Sequence, residues 1–201
     1  ASLLLLTAMT HAQTWTGLVS SSWNNPNNWT PNVVPGASSV ASISVVAGSS
    51  PQLQSNVTVG VLQINPGVSF DFNGYTMTVN HSVGGYTFIN GATLNNSNGL
   101  TDITLNLAMG TGGWNAQINN STVNDNITFN LSGSDPFYEG NSLTANQFNG
   151  NAVYNVAGAL TTYLSYASAS NYTGNVSYTR TVAGNNNIMS SAGNISGNFS
   201  Y

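Results

Sequence analysis

This sequence predicts an all-β fold: a parallel β-helix, or right-handed β-solenoid, with coils of about 24 residues. Three observations point there. A four-residue motif recurs as Asp102-Ile103-Thr104-Leu105, Asn126-Ile127-Thr128-Phe129, Asn151-Ala152-Val153-Tyr154, Asn175-Val176-Ser177-Tyr178 and Asn198-Phe199-Ser200-Tyr201, at steps of 24, 25, 24 and 23 residues. Apolar and polar residues alternate within each copy, as the two sides of a strand require. Only 3% of the chain is charged, against ~25% in an ordinary domain.

The elements follow in chain order. Residues 1–12 read as the end of a secretory signal. The stretch 2–9 is apolar but well short of the ~20 residues a membrane-spanning helix needs, and small residues precede a cut after Ala12. The exported chain is then expected to begin near Gln13, outside the cell or on its surface. Residues 13–60 form an N-terminal Trp/Pro-rich cap with the first strands. Five of the six prolines, at 26, 31, 35, 51 and 66, lie before residue 70 and favour turns and edge strands over helix. Trp15, Trp23 and Trp29 are expected to close the end of the stack, because a terminal coil must cover an otherwise open core. The alternative is an exposed platform for stacking sugars.

Residues 61–201 are assigned to the solenoid coils. Residues 53–90 read as short strands, and Val57-Thr58-Val59-Gly60-Val61-Leu62-Gln63-Ile64 leads to the turn Asn65-Pro66-Gly67. Val68-Ser69-Phe70-Asp71-Phe72 alternates strictly and ends at Asn73-Gly74, which suits a hairpin or a tight corner between two faces of a coil. Tyr75-Thr76-Met77-Thr78-Val79 alternates again. From residue 91 the columns are explicit. Ile103, Ile127, Ala152, Val176 and Phe199 form one inward column; Leu105, Phe129, Tyr154, Tyr178 and Tyr201 form the next. Leu107, Leu131, Val156 and Arg180 form a third, in which Arg180 requires the strand to slip or bulge. Thr104, Asn106, Thr128, Asn130 and Asn155 point outward and are the candidate binding residues. Val123, Phe148, Tyr172 and Ile195 make a further apolar column, and Gly150, Gly174 and Gly197 precede the anchors where a corner demands a small residue. Stacked coils lie ~4.8 Å apart, so like residues fall above like. The 32 Asn residues suit such stacking through amide ladders, whereas stacked charges would repel. A chain ending within its fifth repeat strand is expected to continue end to end into further repeats.

Composition narrows the function. With no Lys and one Arg, nucleic acid is excluded as a partner. No segment is long and apolar enough for a membrane span. No cysteine is present for thiol metal sites, and calcium prefers clusters of Asp where these repeats carry Asn, so neither metal nor cofactor is expected. Asp102 and Asp125 sit at coil corners and read as turn caps. Asp135 and Glu139 lie together in 134–140, read as a loop interrupting the repeat. They are the only pair suited to glycoside hydrolysis, and a solvated insertion is the preferred reading. No catalytic residue is assigned.

Trp15-Thr16-Gly17, Trp23, Asn28-Trp29-Thr30-Pro31, Pro35-Gly36 and Pro51-Gln52-Leu53 resemble the opening module of large secreted repeat proteins of Bacteroidetes. Phe148-Asn149-Gly150-Asn151 and Tyr172-Thr173-Gly174-Asn175 resemble the adhesin-like β-helix arrays of such proteins. The resemblance implies an exported surface or matrix protein and carries no catalytic residues. The expected function is thus a non-catalytic structural or adhesive one, with neutral Asn/Thr faces contacting glycans or cell-surface components. The alternatives are a β-helix polysaccharide-processing enzyme and an ice-binding protein. For the last, Thr104 and Thr128 begin a threonine row that Val153, Ser177 and Ser200 break.

Overall fold

The computed structural model of the chain describes residues 12–45, 48–188, 191 and 193–201. Nearly all of the expected signal segment lies outside these residues. The strands visit three sheets in rotation. Ile103–Met109 lies in a seven-stranded sheet (face 1), Ala116–Asn119 in a nine-stranded sheet (face 2) and Thr122–Val123 in a six-stranded sheet (face 3). Ile127–Gly133 then returns to face 1 directly beside Ile103–Met109. The pairing is parallel throughout, apart from the antiparallel contact of Ala12–Trp15 with Trp29–Thr30. This is a parallel β-solenoid.

Its register follows the repeat. Ile103, Thr104, Leu105, Asn106 and Leu107 pair with Ile127, Thr128, Phe129, Asn130 and Leu131, and these pair in turn with residues 152–156. The column continues through 176–180 and ends on Phe199–Ser200, whose outer edge could carry a further coil. The Val123, Phe148, Tyr172 and Ile195 column is also in register. Inside, Phe129 stacks on Tyr154 at 5.0 Å and Phe148 on Tyr172 at 4.7 Å. All four rings are buried, each stabilising the stack by ~1.5–3 kcal/mol.

Corners account for the points where sequence alone left a choice. Asn73-Gly74 is a corner, joining Ser69–Asp71 of face 3 to Thr76–Val79 of face 1, with Gly74 at φ +81°. The run 57–64 is two strands. Val57–Val59 belongs to face 1 and Val61–Ile64 to face 2, with the bend at Gly60. A Cβ there would lie 2.7 Å from Val83 and 2.9 Å from the Ser39 carbonyl, so the bend needs glycine for space.

Gly150, Gly174 and Gly197 stack at the corner before face 1. A Cβ on Gly174 would sit 2.7 Å from the Gly150 carbonyl carbon. Beside them the anchor side chains tie coil to coil. The Oδ1 atoms of Asn126, Asn151 and Asn175 each accept the backbone N–H of the next anchor at 2.8 Å. Gly174→Ala should therefore cost ~1–3 kcal/mol through overpacking, read as a lower melting temperature. Gly36→Ala, where no atom lies within 4 Å of the added methyl, should leave it unchanged.

The three early indoles lie inside the fold, not on an exposed platform. Trp15, Trp23 and Trp29 are at most 1% exposed and pack edge to face at 5.0 and 4.6 Å. Ala12–Trp15 pairs with Val40–Ile43, which pairs with Val61–Ile64. The Trp segment thereby closes one end of the core.

Candidate functional site

The five outward residues expected to bind come together on face 1. Thr104 pairs with Thr128, and Asn106, Asn130 and Asn155 form one file. Along that file the amide of Asn155 donates to Asn130 Oδ1 at 2.9 Å, Asn130 to Asn106 at 2.8 Å, and Asn106 to the Thr78 hydroxyl at 3.1 Å. Earlier coils extend both files. Thr76 continues the Thr104 row and Thr58 the Thr78 row, while Val153 interrupts the first. Each ladder amide still has a second N–H and a second lone pair beyond those the ladder uses.

Face 3 repeats the pattern. Asn149 donates to Asn124 at 2.9 Å, Asn124 to Asn95 at 2.8 Å, and Asn194 to Asn171 at 3.0 Å. Amide ladders thus run along two sides of the solenoid, holding the coils together and presenting hydrogen-bonding surfaces; on face 3 the file begins at the carboxylate of Asp71, which pairs with Asn95.

Four of the five acids are individually engaged. Segment 134–140 is not an interrupting loop, because Phe137–Glu139 is a strand of face 2 paired with Ala116–Ile118 and with Thr162 and Tyr163. Its two carboxyls point to different tasks. Asp135 sits at the corner, where its oxygens accept the backbone N–H groups of Gly112, Gly113 and Trp114 at 3.1–3.2 Å. Glu139 points inward, next in a column with Ile64, Ile89 and Ile118, and is fully buried. It accepts from the hydroxyls of Ser170 and Tyr172, from the Asn146 amide at 3.1 Å and from the Ser165 N–H at 3.4 Å. Burial raises its pKa above the ordinary carboxylate value despite these donors. Burial, then the Glu139 charge, pushes the Tyr154 and Tyr172 hydroxyls well up.

Burial would also raise Asp71, but its hydrogen bonds from Ser97, Gln52 and Asn73 outweigh that and hold it low. Asp102 accepts from the Asn126 amide at 3.0 Å. Arg180 keeps its register opposite Val156 without a slip. Its guanidinium donates to the carbonyls of Leu160 (2.8 Å) and Gly158 and to the Tyr178 and Thr162 hydroxyls. Among the described residues, no three His, Cys, Asp or Glu side chains gather as a metal cluster, and no helix is long and apolar enough to cross a membrane.

Face 2 carries a group of residues that sequence columns did not reveal. Phe88, Gln117, Tyr138 and Tyr163 occupy one outward column. Tyr138 and Tyr163 stack at 4.6 Å with planes 2° apart, and Tyr166 meets both edge on. Tyr86 and Trp114 pair edge to face at 5.0 Å. The available signal was the alternation Tyr86-Thr87-Phe88-Ile89, which places two rings on the outward side.

No family model, curated protein or solved structure matches the chain. Fold and surface therefore define the class: a parallel β-solenoid with amide ladders on two faces and a mixed aromatic and amide third face.

Proposed function

We propose that this chain is an exported, non-catalytic structural or adhesive repeat protein whose neutral faces make contact with glycans or other cell-surface components. The observation that carries this reading is the pair of amide ladders. They build a rigid body from hydrogen bonds between coils and leave a long surface that is low in charge and rich in donors and acceptors. Such a surface suits polyhydroxylated partners and lacks the cations that phosphate polymers require. The apolar leader at 2–9 and the resemblance to secreted repeat proteins support export. The engagement of Asp135 by three backbone N–H groups, and of Glu139 inside the core, supports the non-catalytic part of the reading. Labelled protein applied to a glycan array and to intact bacterial cells should bind without releasing reducing sugar. Sugar release that disappears in Asp135→Asn or Glu139→Gln would overturn it.

A further inference from the structure

Face 2 uses its amides differently from the other faces. On faces 1 and 3, carboxamides of adjacent coils bond to one another. On face 2 the corresponding column runs Gln63, Phe88, Gln117, Tyr138 and Tyr163, so aromatic rings interrupt the ladder. Gln63 and Gln117 stand two coils apart, ~9.6 Å, with Phe88 between them, and their amides do not meet. Gln117 turns sideways, donating to Asn115 at 2.7 Å and accepting from Asn119 at 2.9 Å. Gln63 makes one long contact, 3.4 Å to the Tyr86 carbonyl. Asn90, paired with Asn119, is half-buried, and its carboxamide has no hydrogen-bond partner among the described residues.

These groups surround an open cleft of about 410 Å³, lined by Gln63, Tyr86, Phe88, Asn90 and Gln117 among others. Tyr86 is 46% exposed and held against Trp114. No carboxylate, histidine, lysine or arginine lines the cleft. Glu139 turns into the core, and Asp135 is tied to the 112–114 backbone.

We propose that this cleft binds a neutral polysaccharide. A pyranose ring has an apolar C–H face that packs on aromatic carbon and a rim of hydroxyls that both donate and accept. Tyr86 and Phe88 supply the first surface; Gln63, Asn90 and Gln117 supply amides able to meet the second. An anionic polymer would find no counter-charge here. The column repeats every coil, ~4.8 Å, comparable to one residue of an extended sugar polymer. A chain lying along the axis would continue from the cleft towards Tyr138 and Tyr163. The inference rests on the contact role proposed above and adds a face and a ligand class to it.

Affinity electrophoresis of the full chain tests this, with hydroxyethyl cellulose, laminarin or mannan in the gel and polygalacturonate as the anionic control. At least one neutral polymer should retard the protein and polygalacturonate should not. Tyr86→Ala and Gln117→Ala should each weaken that retardation at least tenfold, with circular dichroism unchanged. Gly36→Ala, which adds a methyl in open space, should bind as the parent does, and Asn130→Ser reports separately on the face 1 ladder. Gln117→Ala removes only an amide, so the test survives if an aromatic variant misfolds. The inference falls if no neutral polymer retards the chain, or if the face 2 variants bind like the parent. It also falls if Tyr86→Ala abolishes only a concentration-dependent self-association, as a second copy on this face would require. Retardation lost in Asn130→Ser but kept in Tyr86→Ala would move the site to face 1 and leave the broader contact role standing.

Discussion

Trp29→Ala should destabilise the solenoid by about 3–5 kcal/mol, the range for removing a fully buried aromatic side chain. The Trp29 indole packs between Trp15 and Trp23, and its N–H donates to the Trp23 carbonyl at 2.8 Å. Truncation leaves a cavity and an orphaned carbonyl. The fold around it has little freedom to collapse. Asn28, fully buried beside it, accepts from the N–H groups of Val19 and Ser20 at 3.0 Å and donates to the Ser22 carbonyl at 2.8 Å. Solenoid stability is approximately a sum over neighbouring coils, so the loss should be spatially graded. Hydrogen exchange should accelerate first in Ala12–Trp15 and Val40–Ile43 and least in Ile127–Gly133. Uniform acceleration, or a loss below about 1 kcal/mol by urea denaturation, would show that the indoles do not cap the core.

Glu139 should give the chain an unusual pH dependence. Its folded pKa is raised above the ordinary value of 4.5 by burial, so the folded state holds the proton more tightly than the unfolded state. Its contribution to stability is fully present below the unfolded pKa. It is lost as pH rises through the folded value, the reverse of a salt-bridged carboxylate. The protonated acid must donate one hydrogen bond, which the rotatable hydroxyls of Ser170 and Tyr172 can accept. Glu139→Gln keeps the shape and cannot ionise. Denaturant midpoints of Glu139→Gln should therefore gain on those of the parent as pH rises, while the opposite slope from Asp71, whose pKa is held low, is common to both chains. Glu139→Ala should be destabilised at every pH, by at least about 3 kcal/mol, because Asn146, Ser170 and Tyr172 lose their shared acceptor inside the core. A parent that gains on Glu139→Gln as pH rises would contradict this account.

The columns on face 1 were legible from sequence for a geometric reason. The corner leading into face 1 from face 3 is three residues long in each of the last four coils, 124–126, 149–151, 173–175 and 196–198. These equal corners, with coil lengths that stay between 23 and 25 residues, keep the face 1 strands in step, so Ile127 and Ala152, or Asn130 and Asn155, line up on inspection. Corners into face 2 vary, from the single residue Gly60 to 110–115 and 134–136. Tyr138 and Tyr163 are therefore adjacent in space without belonging to an evident repeat, and Glu139 enters an aliphatic column unannounced. The same irregularity made 134–140 read as an inserted loop when it is a strand.

The sequence by itself determined the fold class, the coil length, the inward and outward assignment on face 1 and the corner glycines. Each follows from alternation within a strand and from like residues stacking over like. Only the tertiary structure decided that the tryptophans lie inside, that Asp135 and Glu139 serve the backbone and the core, and that face 2 carries rings among unladdered amides. Those outcomes depend on which residues of neighbouring coils fall above one another. Corner length sets that, and hydrophobic pattern does not encode it.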